Sequence, residues 1–219
     1  MSLVLFDIDG TLIRNAGGHH KQALIEGIRR ATGALTTLDG IATHGMLDCD
    51  LIRGMLGSEE DHPALEQIMA ECEAAYLDNC APSLRERVCP GVLDTLRALR
   101  GRDAVLGLVT GNLRVIGKKK MELAGLADYF TVGAFSGQGR TRGELAAVAA
   151  LEARALGLAA HDARVTLIGD HPNDVEAGRR NGFQTVAVAT GLSSWDELEA
   201  ARPDLLVRTL ADLDLELLF

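Results

Sequence analysis

Past residue 90 the chain repeats one pattern, a short uninterrupted apolar run followed by a helical segment. The runs are Ala104–Val109, Thr131–Ala134, Val165–Ile168, Thr185–Val188 and Leu205–Val207. The helical segments between them are Val92–Arg100, Leu113–Ala124, Glu144–Leu156, Pro172–Asn181 and Ser194–Ala200, with a last one near Leu210–Leu217. Strands that are apolar at every position, rather than at alternate ones, are covered on both faces. That pattern predicts an α/β fold with a doubly wound parallel sheet. Pro172 in a first helical turn, and Gly101, Gly125, Gly157 and Gly182 just past helix ends, place the punctuation where helices start and stop.

The stretch from Asn15 to Arg87 reads differently. It has helical periods and no good strand: Ala23, Leu24, Ile28 and Ala31 form one stripe, and Leu65, Ile68, Met69, Cys72 and Tyr76 form another, both read as core. A helical block after the first strand Leu3–Phe6 predicts a cap. The expected division is a core of residues 1–14 and 88–219 with a cap of residues 15–87. The cap carries six Lys or Arg against twelve Asp or Glu, and the whole chain has a net charge of −9. Such a balance argues against a nucleic-acid partner, because phosphate backbones need clustered basic residues. Lys118-Lys119-Lys120 forms a basic run, read as a solvated helix face. The apolar stretch at Leu3–Phe6 is too short for a signal sequence, and no run approaches a membrane span, so a cytoplasmic protein without a membrane partner is expected. Cys49, Cys72, Cys80 and Cys89 have no zinc-type spacing and are read as reduced apolar groups.

Chemistry concentrates at strand ends. Directly after the first strand come Asp7 and Asp9, two carboxylates spaced i, i+2 and followed by Gly10 and Thr11. In extended chain that spacing puts both groups on one side, where like charges crowd. Thr110-Gly111-Asn112 follows the run ending at Val109, and Gly169-Asp170-His171-Pro172-Asn173-Asp174 follows the run ending at Ile168, with Arg140 and Arg142 between them. Ligands bind outside the carboxyl ends of strands in open parallel sheets, so these residues should converge. A carboxylate can attack a phosphoryl group only if charge is neutralised, and Mg²⁺, which takes hard oxygen ligands, is the natural neutraliser. Asp7 and Asp170 suit that ion. The Thr110 hydroxyl and N–H groups at the start of the next helix suit phosphoryl oxygens, a guanidinium can offset their charge, and Asp9 can move protons.

Taken together, Asp7-Ile8-Asp9-Gly10-Thr11, Thr110-Gly111-Asn112 and Gly169-Asp170 with Asp174 resemble, in order, three signature motifs of the haloacid dehalogenase-like superfamily, on its phosphatase side. The resemblance spans residues 4–191. It implies Asp7 as nucleophile, Asp9 as acid/base, and Thr110, with Gly111 and Asn112, as the phosphoryl-binding segment. It also implies Mg²⁺ held by Asp7, Asp170 and the Asp9 backbone carbonyl, with Asp174 in support. The third motif departs from the common Lys-Pro pattern: the segment here is Gly139-Arg140-Thr141-Arg142-Gly143, and Arg142 is the candidate over Arg140. Arginine is not equivalent to lysine there.

Within the family, Asp9 favours a phosphatase over a dehalogenase, because expelling halide needs no proton donor. A phosphonatase would ask for a cap lysine to form a Schiff base, and Lys21 is the only lysine of the cap, which argues against that reading. A phosphomutase shares the same core, and His19 lies where some mutases carry a histidine; that alternative stays open. His19, His20 and Arg53 are otherwise read as exposed polar residues. A receiver-type signalling domain would place its phospho-acceptor where Thr110 stands, and a silent phospho-ligand-binding protein would lack an essential residue of the three motifs. The cap, about 73 residues long, resembles that of phosphoglycolate-phosphatase-like enzymes, which implies a small phosphorylated metabolite as substrate.

Overall fold

A computed structural model describes residues 2–219. Six parallel strands, β1 (Leu3–Phe6), β2 (Val105–Val109), β3 (Val132–Ala134), β4 (Val165–Gly169), β5 (Gln184–Val188) and β6 (Leu205–Val207), form one sheet in the order β3-β2-β1-β4-β5-β6. β1, β2, β3 and β4 are buried at every position, as unbroken apolar runs require. The register sets Phe6 opposite both Leu108 and Ile168. Residues that follow β1, β2 and β4 therefore emerge along one edge of the sheet, where the order reverses from 3-2-1 to 4-5-6.

Helices cover both faces. On one, Val92, Leu96 and Leu99 of α4 (Val92–Arg100) and Met121 and Ala124 of α5 (Arg114–Ala124) pack over Val4, Phe6, Leu106 and Leu108. On the other, Leu145, Ala146, Ala149, Ala150 and Ala153 of α6 (Arg142–Ala155) meet Leu3, Leu5 and Leu167. The alanine row lets α6 lie close to the strands. α7 (Pro172–Arg180) and α8 (Trp195–Ala200) complete the core. The segment expected as a last helix is instead two 3₁₀ turns, Leu210–Asp212 and Leu215–Leu218. Leu213 is extended between them and the Asp214 carboxylate accepts from Glu216 N–H, restarting the chain before a helix can propagate.

Between β1 and α4 lie three helices, α1 (His19–Thr32), α2 (Asp48–Met55) and α3 (Leu65–Asn79). The chain leaves and re-enters the sheet region through adjacent strands of backbone, with Arg14 N–H donating to Arg87 O at 2.9 Å. α1 and α3 touch closely enough that a Cβ on Gly27 would strike the Cys72 backbone. Their apolar faces share one cluster with Leu113 and Ile116 beside and within α5. Two carboxylates of the block also serve α5: Asp48 accepts from Leu113 N–H at 2.7 Å and Glu73 from Val115 N–H at 2.8 Å. These N–H groups have no partner inside a helix, and here acidic side chains from another part of the chain satisfy them. All four cysteines are free. No helix among the described residues is long and apolar enough to cross a membrane.

Candidate active site

β1 ends at Phe6, and Asp7 N–H still donates to Ile168 O at 2.9 Å, so Asp7 is held in strand geometry beside the end of β4. Three residues on, the backbone turns sharply: Gly10 has φ +99°, Leu12 N–H returns to Ile8 O, and a Cβ on Gly10 would collide with the Asp170 carboxylate. Glycine is thus required there both for its backbone angle and for the approach of β4's acid. Asp170 follows β4, and Asp174 sits in the first turn of α7, where its carboxylate accepts from His171 N–H in a capping box.

Asp7, Asp170 and Asp174 are all buried, and their ligand atoms lie within 4.8 Å of one another. Arg142 Nη1 donates to Asp7 Oδ1 at 2.7 Å and to Asp174 Oδ1 at 2.9 Å. Arg140 lies outside this group, exposed and paired with Asp61 at 2.7 Å. Burial pushes the Asp7, Asp174 and Asp170 carboxyls above their ordinary range, and mutual repulsion adds to it; Arg142 and, at Asp170, His44 pull the other way without cancelling it. The Arg142 guanidinium is held more firmly charged than usual: burial disfavours its charge, but Asp174 and Asp7 outweigh it. Clustered hard oxygen donors carrying excess negative charge are the donor set Mg²⁺ takes, and these residues fit it.

Asp9 points elsewhere. Lys120 Nζ donates to its Oδ1 at 2.8 Å and its Oδ2 at 2.7 Å, and Asn112 Nδ2 to Oδ2 at 2.8 Å. Burial alone would raise this carboxyl, but the Lys120 charge with the hydrogen bonds from Lys120 and Asn112 holds it below the usual range. Asn112 Nδ2 also donates to Thr110 Oγ1 at 2.6 Å, so the fully buried Thr110 hydroxyl is drawn into the same network. Gly111 has no room for a side chain, since the Met46 carbonyl lies against it.

Lys120 corrects the reading of residues 118–120 as a solvated face: Lys118 is exposed, but Lys120 is only 1% exposed. The signal was present in the spacing, for Lys120 falls on the same helical stripe as Ile116 and Ala124. His20 likewise is not a free surface group. Its Nδ1 lies 3.1 Å from Lys120 Nζ and its Nε2 2.8 Å from Asp48 Oδ2. Of the N–H groups at the N-terminus of α5 that the sequence offered to a phosphoryl group, two are already taken, Leu113 by Asp48 and Val115 by Glu73.

A cavity of about 790 Å³ opens over the carboxylates. Its walls include Arg14, His20, Lys21, His44 and Tyr76 from the N-terminal loop and the helical block, facing Asp7, Asp9, Arg142 and Asp170. His44, which no sequence pattern singled out, lies on the loop before α2 with Nε2 3.5 Å from Asp170 Oδ2 and its ring edge-on to His171. That loop is seated on α7: Asn173 Nδ2 donates to Gly45 O at 3.0 Å, and a Cβ on Gly45 would strike His171.

The sequence profile of the haloacid dehalogenase-like hydrolase family matches residues 4–179. The chain is 26% identical over 215 residues to "Probable phosphatase IndB" of Dickeya dadantii, covering 96% of this chain and 91% of that protein. It is 25% identical over 229 residues to a phosphoglycolate phosphatase of Escherichia coli O157:H7, covering 96% and 90%. In three dimensions it resembles a β-phosphoglucomutase of Clostridium difficile with a TM-score of 0.69 and 17% identity, over 99% of this chain and 95% of that one.

Proposed function

The chain belongs to the haloacid dehalogenase-like hydrolase family, and on that premise we propose that it is a Mg²⁺-dependent phosphatase of a small, acidic phosphomonoester, working through a phosphoryl group carried on Asp7. The observation that carries this reading is the pairing of three buried carboxylates with the Arg142 guanidinium at the ends of β1 and β4, while Asp9 stands apart on its own lysine. One carboxylate is thereby equipped to meet an anion and the other to handle protons.

Asp7, Asp170 and Asp174 are the side chains that would hold Mg²⁺. When bound, the ion supplies positive charge that lets the carboxylate and the phosphoryl group approach and orients the phosphoryl oxygens. Arg142 contributes fixed charge from the opposite direction, and its two ion pairs keep Asp7 aimed. The Asp7 oxygen attacks phosphorus as the ester bond breaks, and Asp9 delivers a proton to the departing oxygen. Water then attacks the phosphoryl group, Asp9 takes its proton, and the Asp7 carboxylate is released. Thr110 holds a phosphoryl oxygen through its hydroxyl.

The cavity is of metabolite size, and cations at Arg14 and Lys21 with the imidazole of His44 line it beyond the reacting groups. They favour a substrate whose leaving part carries a second negative charge, as phosphoglycolate does. The helical block screens the carboxylates from bulk water. The decisive assay is hydrolysis of a chromogenic phosphomonoester with Mg²⁺, with a chelator, and by Asp7→Asn. Activity is expected to vanish on chelation and to fall on the order of 10⁴-fold or more with the substitution. Turnover that survives either change would refute the mechanism. A panel of phosphorylated metabolites, with a hexose 1-phosphate included to reveal mutase activity, then identifies the substrate.

A further inference from the structure

A lysine ammonium has three N–H donors and no acceptor, and those of Lys120 are all engaged by the protein. One bridges the two Asp9 oxygens, one goes to Asn112 Oδ1 at 2.6 Å, and one to His20 Nδ1 at 3.1 Å. Because the ammonium can only donate, His20 Nδ1 accepts, and its Nε2–H donates to Asp48, which is fixed in turn by Leu113 N–H. Lys120 therefore has nothing left with which to bind substrate, and as an ion-paired ammonium it is not a nucleophile. The Asn112 amide is oriented by the same lysine so that its NH₂ faces Asp9. The Asp9 side chain nonetheless remains 42% exposed toward the cavity. Its Oδ2 has two protein donors and its Oδ1 one, which leaves Oδ1 with acceptor capacity on the open side.

We propose that Lys120 is the positioning residue for the second half of the reaction: it clamps Asp9 as the base that activates water against the phosphoryl group on Asp7, and His20 of the helical block completes the clamp. The inference rests on the phosphatase reading above. In the step concerned, an Asp9 oxygen takes a proton from water, the water oxygen forms a bond to phosphorus, and the Asp7–phosphorus bond breaks with its electron pair returning to the carboxylate. The proton held on Asp9 is passed to the leaving oxygen of the next substrate. The fourfold contact of a buried core lysine with a core acid and an inserted imidazole also ties the seating of the helical block to the base. The block holds Asp48 and His20 in place, and through them the third donor of Lys120.

Such a role separates the two half-reactions. With p-nitrophenyl phosphate the leaving group departs without a proton, so the first step should be insensitive to the clamp. In Lys120→Met, kcat is expected to fall roughly 10–100-fold, and KM should fall with it. The ratio kcat/KM should then stay within about threefold of wild type, and a burst of nitrophenolate near one equivalent should precede steady turnover. Lys119→Met, on the exposed side of the same run, is the unchanged control. In Lys120→Ala, propylammonium should restore kcat saturably, where tetramethylammonium at equal ionic strength does not. His20→Ala, which keeps the lysine but removes its third acceptor, should show the same burst with a smaller loss, and it stands as the test if Lys120→Met does not fold. Unchanged kcat, or kcat/KM that falls as far as kcat with no burst, would overturn the proposal. If Asp7→Asn turned over like wild type, the phosphatase reading itself would fail, and this inference with it. Loss of activity in Asp7→Asn alongside a burst-free Lys120→Met would strike the inference alone.

Discussion

Two ionic clusters lie on one cavity, one buried and one open to it at Asp9, and they are built on opposite accounts of charge. Around Asp7, three carboxylates share the Arg142 guanidinium, and their carboxyls are pushed upward by burial and repulsion. Around Asp9, a carboxylate meets a lysine, an amide and an imidazole whose donors and acceptors match, and its carboxyl is held low. The first cluster has unspent negative charge and is organised to receive a cation and an anion together. The second is complete in itself, which suits a group that must return to the same position in every cycle. The i, i+2 carboxylates that begin as equals on one strand end are made unequal by where α5 and α6 place their cations.

That contrast can be broken by exchanging the cations for neutral groups. Arg142→Met strands Asp7 and Asp174 against each other in a buried site, and should cost about 3–5 kcal/mol of stability in metal-free buffer, read by chemical denaturation. Mg²⁺ should restore part of that loss. Lys120→Met replaces a buried ammonium by an apolar chain of similar length and leaves Asp9 open to the cavity, so its cost should stay below about 2 kcal/mol. The reverse order would contradict the assignment of excess charge to the Asp7 cluster.

A smaller effect sharpens the same point. If the excess charge is what binds metal, saturating Mg²⁺ should stabilise the wild-type protein, by about 2.7 kcal/mol at a hundred times the dissociation constant. Asp170→Asn, which removes one of the three carboxylates, should lose most of that shift in a melting experiment with Mg²⁺ against chelator. Equal shifts in the two proteins would remove Asp170 from the metal site.

Much of this was legible in the sequence because it depends on local pattern. Continuous apolar runs specified parallel strands to within a residue at their ends, buried throughout in β1 to β4 but only half-buried in the edge strand β6, and Asp7, Thr110 and Asp170 follow β1, β2 and β4 directly. Arg142 was preferred to Arg140 from position alone; the structure brings it to Asp7, because α6 begins there and turns its first side chain toward β1. What escaped was long-range. Lys120 was grouped with its neighbours in sequence, when its helical phase put it on the buried stripe. The α5 N-terminus looked free because its partners, Asp48 and Glu73, lie 65 and 42 residues away. His44 sits on an irregular loop, where no periodicity marks which way a side chain faces. The C-terminal segment has helical spacing, yet an extended Leu213 and a capping Asp214 divide it into two short turns.

The claim on which everything else stands is that phosphorus is transferred twice, first to Asp7 and then to water. Each in-line displacement inverts the phosphorus centre, so a phosphorothioate monoester made chiral with two oxygen isotopes and hydrolysed in water carrying the third should give chiral thiophosphate with net retention. Net inversion would mean that water attacks the substrate directly, and Asp7 would then have no phosphoryl group to carry.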